Sequence, residues 1–305
     1  MKILKVILCV LVFIVFFGVY IFNISGNISN NAIEGFKLPR IPASSSKVDV
    51  HLLKTGYITV PEAFSMAQGS LFKPFEMVHG AVLVKHGSSS FLFDTGLGKQ
   101  IDKQFHLDMP FWSKPFMTYK KSTPAVDLIK NNPNLPLPNR IFLSHSHWDH
   151  ASGLVDFPQA NVWISSQEFD YLKTAKPPSV FPSQVNSKSI MWHSYQLNDG
   201  AYAGFDRSFD IFNDGSAVIV ELSGHSPGSV GLFVNDKFGI RRFFIGDVVW
   251  NLSALDNLKR KSWAASLLLD HNENTTDNTI LKLKALKDKN PDLKIIPAHD
   301  LSAWK

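Results

Sequence analysis

The stretch FLSHSHWDHASG, residues 142–153, is the part of the sequence that decides the fold. Three of the chain's 11 histidines and an aspartate stand close together here, directly after an apolar run. In an extended or turning segment His145 and His147 point the same way, so both can bind one metal ion. Asp149 and His150 follow in the turn, where they can face a second ion. Neutral imidazole and carboxylate suit zinc, and also manganese, iron or cobalt.

The same pattern, an apolar run followed by a turn and a metal-binding residue type, recurs three times downstream. His225 follows "VIVELSG", Asp247 follows "RRFFIG" and His299 follows "LKIIPA". Any one of these residues alone would be interpreted as a structural histidine or a capping aspartate. Four such segments in one chain indicate a metal site assembled at the ends of several strands.

The remaining histidines have no partner at ligand spacing, and among them His79 and His193 are the first candidates for a place near the site. The formal charge of +5 is mild, and the basic clusters 259–261 and 241–242 are short. We interpret both clusters as solvated faces, so no nucleic-acid partner is expected. The single cysteine, Cys9, leaves residues 47–305 without a disulfide, a cysteine nucleophile or a thiolate ligand.

The N-terminus carries lysines followed by an unbroken apolar run of 17 residues, from Val6 to Phe22. No small-residue cleavage pattern follows, which favours an uncleaved signal anchor or transmembrane helix over residues 1–23. The lysines predict that the remainder faces the periplasm, membrane-anchored, with secretion after signal cleavage as the alternative. Residues 24–46, rich in Asn and Ser, are predicted to be a flexible linker to a hydrolase domain over residues 47–305.

From residue 47 onward, short β-type runs in hairpin-like pairs are interrupted by helical patterns at 123–131, 166–173 and 276–289, the last with Thr275 or Thr276 as its N-cap. This order predicts a mixed α/β sandwich. Two segments are predicted as long loops, 99–122 and 174–200. The first is rich in aromatic residues, which either border the active site or pack on the core.

The ligand pattern, together with "GHSPG", "GD" and "AHD", resembles the metallo-β-lactamase superfamily across residues 47–305. The resemblance implies a four-layer αββα sandwich with a dinuclear metal site at one edge of the sheets. It also implies that Asp94, in "FLFDTG", supports the site without binding metal.

Carried over position by position, the resemblance assigns a ligand set to two Zn²⁺ ions, with Mn, Fe or Co as alternatives. His145, His147 and His225 would hold the first ion, Asp149, His150 and His299 the second, and Asp247 would bridge them. A hydroxide between the ions would be the nucleophile, and Asp149 would pass a proton to the leaving group.

Among the branches of this superfamily, the motifs are most similar to those of N-acylhomoserine lactonases. True class B β-lactamases lack the bridging aspartate, and the six residues after His299 leave no room for the helical domain of glyoxalase II enzymes. The aromatic residues of the 99–122 loop, chiefly Phe111, Trp112 and Phe116, could accept an acyl chain. One position departs from many lactonases, because Trp250 replaces a tyrosine that hydrogen-bonds the substrate carbonyl.

The sequence and the resemblance therefore predict a dinuclear zinc hydrolase that acts on a small molecule with an ester-type bond, with a lactone as the preferred substrate. A glyoxalase II-like thioesterase or a phosphodiesterase on the same site is the alternative, and some relatives that oxidise sulfur compounds lack part of the second ligand set that is present here. The alternative outside enzymes is an inactive metal-binding module, which predicts missing ligands. The sequence does not indicate an oligomeric state.

Overall fold

The computed structural model describes residues 2–23, 26–29 and 36–305. Its strands are β1 (Val48–Pro61), β2 (Pro74–His86), β3 (Ser89–Phe93), β4 (Lys120–Lys121), β5 (Arg140–Phe142), β6 (Asn161–Ser165), β7 (Met191–Tyr195), β8 (Ser208–Asp210), β9 (Ala217–Glu221), β10 (Val230–Asn235), β11 (Arg241–Phe244) and β12 (Lys294–Ile296). Its helices are α1 (Lys2–Asn23), α2 (Glu62–Ser65), α3 (Ile101–Asp108), α4 (Ala125–Lys130), α5 (Trp148–Ala151), α6 (Ser166–Tyr171), α7 (Pro182–Val185), α8 (Leu252–Asp256), α9 (Trp263–Leu269) and α10 (Glu273–Lys289). Short 3₁₀ turns cover Ala43–Lys47 and Leu154–Asp156.

The strands form two sheets. One has the order β4-β1-β2-β3-β5-β6-β7 and the other the order β12-β11-β10-β9-β8. In the first sheet β1, β2 and β3 form an antiparallel meander, and β3, β5, β6 and β7 run parallel. In the second sheet β10 is antiparallel to both β9 and β11, while β11 and β12 are parallel. Consequently β9, β11 and β12 all point the same way.

The two sheets pack face to face through a shared apolar core. This core includes Val84 and Phe91 from the first sheet and Leu232 and Phe244 from the second. Helices α8 and α10 cover the outer face of the second sheet, and α4 to α6 cover the outer face of the first. Strand β10 is buried along its whole length because it has a layer on each side. The αββα sandwich predicted from the sequence is confirmed.

The sheet topology explains why one edge collects the polar residues. His145, His225, Asp247 and His299 each follow within four residues of the end of a strand, namely β5, β9, β11 and β12. Asp94 follows the end of β3, which is parallel to β5. Because the carboxyl ends of parallel strands meet at one edge, these side chains converge there.

The N-terminal region differs from the prediction. Across the described residues, no helix combines the length and the apolar character required to cross a membrane, so the signal anchor predicted over residues 1–23 is wrong. The unbroken apolar run within α1 has 17 residues, whereas a spanning helix needs about 20. The predicted membrane anchoring, and the periplasmic orientation derived from it, are withdrawn with the anchor.

Parts of the segment predicted as a linker, 24–46, pack on the domain. Ile28 and Phe36 are buried in the core beside α8 and α10, and Arg241 donates a hydrogen bond to the carbonyl oxygen of Pro39 (2.7 Å). Residues 30–35, within the same segment, lie outside the described residues. The division of the chain into an N-terminal helix, a linker and a hydrolase domain stays a prediction.

Some local predictions are also corrected. The loop predicted over 99–122 contains helix α3, since the buried Ile101 and Gln104 give it an inward face that the loop interpretation missed. Helix α10 begins earlier than predicted, because Asn272, and not Thr275 or Thr276, is its N-cap and its side chain accepts a hydrogen bond from the Thr275 N–H (2.9 Å).

Candidate metal centre

The first group of side chains in the centre consists of three imidazoles that follow the ends of two strands. His145 and His147 come from the loop after β5 and His225 from the turn after β9, and one ring nitrogen from each lies within 4.8 Å of the others. All three rings are buried. Their Nε2 atoms have no hydrogen-bond partner among the described residues. Three such nitrogens facing one point are the arrangement that a metal ion requires.

A second group lies beside the first. Asp149 Oδ2 is 3.3 Å from His299 Nε2, and His150 Nε2 is 3.1 Å from Asp247 Oδ1. Asp247 lies between the two groups, because its Oδ2 is 3.1 Å from His299 Nε2 and 3.6 Å from His225 Nε2. The structure thus brings together all seven residues that the resemblance assigns as metal ligands. Their assignment as ligands stays a prediction.

Neighbouring groups orient the imidazoles by holding Nδ1, which leaves Nε2 facing the centre. The Nδ1–H of His150 donates to Asp94 Oδ2 (2.8 Å), that of His225 to Asp270 Oδ1 (2.7 Å) and that of His299 to the Val78 carbonyl (2.8 Å). The His145 Nδ1 is 3.0 Å from the hydroxyl of Ser144, which itself donates to Asp94. These four imidazoles, in both groups, therefore carry the ring proton at Nδ1.

The protonation of the centre follows from its burial. Burial and the neighbouring imidazoles hold the pKa of His145 and His147 well below the ordinary histidine value, so these rings are neutral. Burial would raise the pKa of Asp247, but His299 and His150 lower it well below its usual range. His145 and His147 therefore offer neutral imidazoles and Asp247 an ionised carboxylate, the forms that bind divalent metals.

Asp94, to which the resemblance assigns a supporting role, is hydrogen-bonded to Ser144 and His150, and the role itself stays a prediction. Its Oδ1 accepts the Ser144 N–H (2.7 Å), while its Oδ2 accepts from the Ser144 hydroxyl (2.7 Å) and from His150. We expect Asp94→Asn to fold but to lower the zinc affinity of the second site by about 10- to 100-fold, because an amide cannot accept all three bonds. Zinc titration against a competing fluorescent chelator measures this, and an unchanged affinity would contradict the supporting role.

Sequence reasoning missed a buried carboxylate that ties the two ligand-bearing loops together. Glu168, on α6, accepts from the Ser146 N–H (2.8 Å) and hydroxyl (2.6 Å) and from the Ser226 hydroxyl (2.6 Å) and the Gly228 N–H (3.0 Å). The residue is 1% exposed. No motif marks this position, since it is an ordinary acidic residue in a helical pattern.

Replacing Glu168 by alanine would leave these four donors unsatisfied in the interior. We expect Glu168→Ala to lower the free energy of unfolding by about 3–5 kcal/mol. The matched control is Glu76→Ala, whose side chain is exposed and should change stability by less than about 0.5 kcal/mol. Urea denaturation of both variants measures the difference. Equal denaturation midpoints for the two variants would show that Glu168 does not hold the two ligand-bearing loops together.

Sequence reasoning also missed the ion pair that supports His225, which is formed by Lys261 and Asp270. Lys261 is 1% exposed, although the sequence placed it in a solvated basic cluster, and that interpretation is wrong for this residue. Its Nζ is 2.7 Å from Asp270 Oδ1, which also accepts from His225. Lys261 is buried because this carboxylate and the carbonyl of Val248 (3.3 Å) satisfy the ammonium group.

A cavity opens onto the centre. Beside the proposed ligands it is lined mainly by apolar and aromatic residues, and the two substrate-binding candidates that it includes are Phe116 and Trp250. The other two candidates, Phe111 and Trp112, are exposed and lie outside this lining. Their proposed contact with substrate stays a prediction.

Trp250, His79 and His193 differ in their positions relative to the centre. Trp250 donates its indole N–H to Asp247 Oδ2 (2.7 Å). His79 also lines the cavity and joins Asp149 and His299 in a third group of potential ligand atoms within 4.8 Å of one another. His193, on β7, lies on the surface against Asn161, and not at the centre.

Comparison with known proteins gives three kinds of finding. A family model described as the metallo-beta-lactamase superfamily matches residues 77–299. The chain is 23% identical over 167 residues to the N-acyl homoserine lactonase AttM of Agrobacterium fabrum, covering 53% of this chain and 57% of that protein. It is 27% identical over 173 residues to the probable metallo-hydrolase Rv2300c of Mycobacterium tuberculosis, covering 52% and 54%. The match thus spans little more than half the length of these curated relatives.

Solved structures share the fold. An N-acyl homoserine lactone hydrolase, with the product N-hexanoyl-L-homoserine bound at its catalytic metal centre, has a TM-score of 0.64 at 14% identity, covering 83% of this chain and 93% of that chain. AidC, a dizinc quorum-quenching lactonase, has a TM-score of 0.59 at 20% identity, covering 87% and 90%. At these identities the likeness establishes the architecture alone.

Proposed function

Because the chain belongs to the metallo-beta-lactamase superfamily, we propose that it is a hydrolase that uses two divalent metal ions, zinc in the first instance, to open a lactone ring. The observation that carries the proposal is the set of adjacent buried donor groups in which Asp247 lies close to His225 of the first group and to His150 and His299 of the second. A single structural metal site would need only one such group. Two groups sharing a carboxylate suit a pair of ions acting on one substrate.

The donors present fit the two ions. His145, His147 and His225 supply three unpartnered Nε2 atoms for the first ion. Asp149, His150 and His299 supply the second, and Asp247 presents one oxygen towards each group. The chemistry that such ions would supply is a lower pKa for a bound water and polarisation of the scissile carbonyl.

The chain's own residues transfer the proton and orient the bridging carboxylate. Asp149 is ionised, since the imidazoles of His150, His79 and His299 outweigh the effect of burial and lower its pKa. In this proposal a carboxylate oxygen of Asp149 takes up the proton that the attacking water releases as its oxygen bonds to the carbonyl carbon, and delivers it to the ring oxygen as the ring C–O bond breaks. Trp250, through its bond to Asp247, fixes the orientation of the bridging carboxylate and does not reach for the substrate carbonyl.

The choice of a lactone is supported by the cavity and by the relatives. The cavity lining includes Ile58, Val60, Phe64 and Met77, which suits an acyl chain. AttM and two of the structural neighbours are named as enzymes of acylhomoserine lactones.

The test is proton release by the zinc-loaded full chain on a long-chain N-acylhomoserine lactone. We expect multiple turnovers that stop on addition of a chelator and resume with zinc. Thioester and phosphodiester substrates run in parallel separate the alternatives. Turnover of one of these, with none of the lactone, would replace the lactonase proposal, and no turnover on any of them by protein with two ions per chain would favour an inactive metal-binding module.

A further inference from the structure

Each oxygen of the Glu168 carboxylate is used by a different loop of the metal centre. Oε1 accepts hydrogen bonds from the N–H and the hydroxyl of Ser146, in the loop after β5. Oε2 accepts from the hydroxyl of Ser226 and the N–H of Gly228, in the turn after β9. Because the two oxygens of a carboxylate are a fixed distance apart, this side chain holds the two loops at a fixed spacing.

The two loops that Glu168 holds carry the three proposed ligands of the first ion. One contains His145 and His147, on either side of its bound serine, and the other contains His225, directly before its bound serine. The three ring centroids form an almost equilateral triangle with sides of 4.5, 4.6 and 4.8 Å. A tetrahedral zinc site with one open position takes three protein ligands. A change in the spacing of the loops would move His225 relative to the other two rings.

The first turn of α6 also holds the turn after β9 through its backbone. Ser165, the N-cap of α6, donates its hydroxyl to the Gly228 carbonyl (2.7 Å), so both backbone polar groups of Gly228 are bound at this turn. A Cβ at Gly228 would lie 2.1 Å from the backbone nitrogen of Glu168. Only glycine allows so close an approach. The loop that carries His225 is therefore positioned by α6 as well as by β9.

The second group of proposed ligands has other supports. His150 is bound by Asp94, and His299 by the carbonyl of Val78. Within the described part of the chain, the hydrogen bonds of the Glu168 carboxylate reach neither of these side chains nor the residues next to them. Loss of this carboxylate should therefore act on one metal site more than on the other.

We propose that Glu168 is a positioning residue for the first metal ion, and that it raises the zinc affinity of the three-histidine group without contributing to that of the second site. The inference rests on the proposed dinuclear hydrolase and adds a residue that determines how tightly one of the two ions is held. A residue that only stabilises the fold would affect both sites alike.

The test uses Glu168→Gln in the full chain, because an amide has the same shape but donates where one carboxylate oxygen accepts. The N–H of either Ser146 or Gly228 then faces an NH₂ group, and one loop loses its bond. Zinc affinity is measured with a competing fluorescent chelator in two backgrounds. His299→Ala disables the second site and leaves the three-histidine group, whereas His225→Ala disables the first site and leaves the second.

We expect Glu168→Gln to weaken zinc binding by about ten-fold or more in the His299→Ala background, as is usual for lost support of a metal ligand. In the His225→Ala background the change should stay below about two-fold, as for independent sites. Ser226→Ala removes one of the four bonds and should weaken the first site by a smaller factor. The matched control is Glu76→Gln, whose side chain is exposed and which should leave both affinities unchanged.

Two results would overturn the inference. One is equal weakening in both backgrounds, which would make Glu168 a support of the whole domain. The other is unchanged zinc affinity in the His299→Ala background with Glu168→Gln, or with Ser226→Ala if the glutamine variant does not fold. The proposed function fails by a separate result: a wild-type chain that binds two zinc ions but opens no lactone refutes the lactonase, whereas the role of Glu168 is decided by zinc binding alone.

Discussion

Replacing Asp247 by alanine is expected to remove at least one metal ion per chain and to lower kcat/KM by about 10³-fold or more. The reason is its position between the two groups, with Oδ1 3.1 Å from His150 Nε2 in the second group and Oδ2 3.6 Å from His225 Nε2 in the first. Elemental analysis of the purified variant, together with proton release on the lactone, measures both effects.

The control for this variant is Asp292→Ala, because Asp292 is exposed and is not among the proposed ligands. It should keep two ions and full turnover. An Asp247→Ala protein that retained both ions and wild-type turnover would show that Asp247 does not bridge the two sites.

The second large effect is expected at Lys261, where Lys261→Met would leave the buried Asp270 carboxylate without its cation. We expect the free energy of unfolding to fall by about 3–5 kcal/mol at neutral pH. Lys261→Met combined with Asp270→Asn should recover part of this loss, since no buried charge then lacks a partner. Lys259→Met, in the same basic cluster but only partly buried, is the matched control and should change stability by less than about 0.5 kcal/mol.

The same pair predicts a pH dependence. Burial acts to raise the pKa of Asp270, but Lys261 and His225 lower it to about 2. An unfolded aspartate titrates near pH 3.9, so the folded state binds fewer protons and the pair stabilises the fold above that pH. The contribution is lost as the pH falls from about 4 towards 2. Denaturation at pH 7 and pH 3 should therefore show a larger difference between the wild type and Lys261→Met at pH 7, and an equal difference would contradict the ion-pair explanation.

The proposed ligands could be predicted because each has a local signal. An apolar run ends and a histidine or aspartate follows, so that the sequence itself shows where a strand delivers a side chain to the sheet edge, as at His225 and His299. Asp94 has the same signal after β3. The sandwich follows from the same pattern of strand pairs and intervening helices.

The groups around the ligands carry no such signal, because their roles depend on contacts between segments distant in sequence. His79 lies 70 residues from Asp149 and within a strand, not at the end of one. Lys261 stands in a run of basic residues that would ordinarily be solvated, and only the buried Asp270 reverses that expectation. The prediction for the N-terminal segment was wrong for another reason, because its apolar composition alone did not determine whether it could cross a membrane.

The most direct test of the account is a titration of the metal-free full chain with zinc, in which the initial rate of lactone opening is followed at each addition. We predict negligible turnover without metal and a rate that reaches its maximum at two zinc ions per chain. A rate that is independent of added zinc, or no lactone opening at two bound ions per chain, would contradict the proposal of a dinuclear metal lactonase.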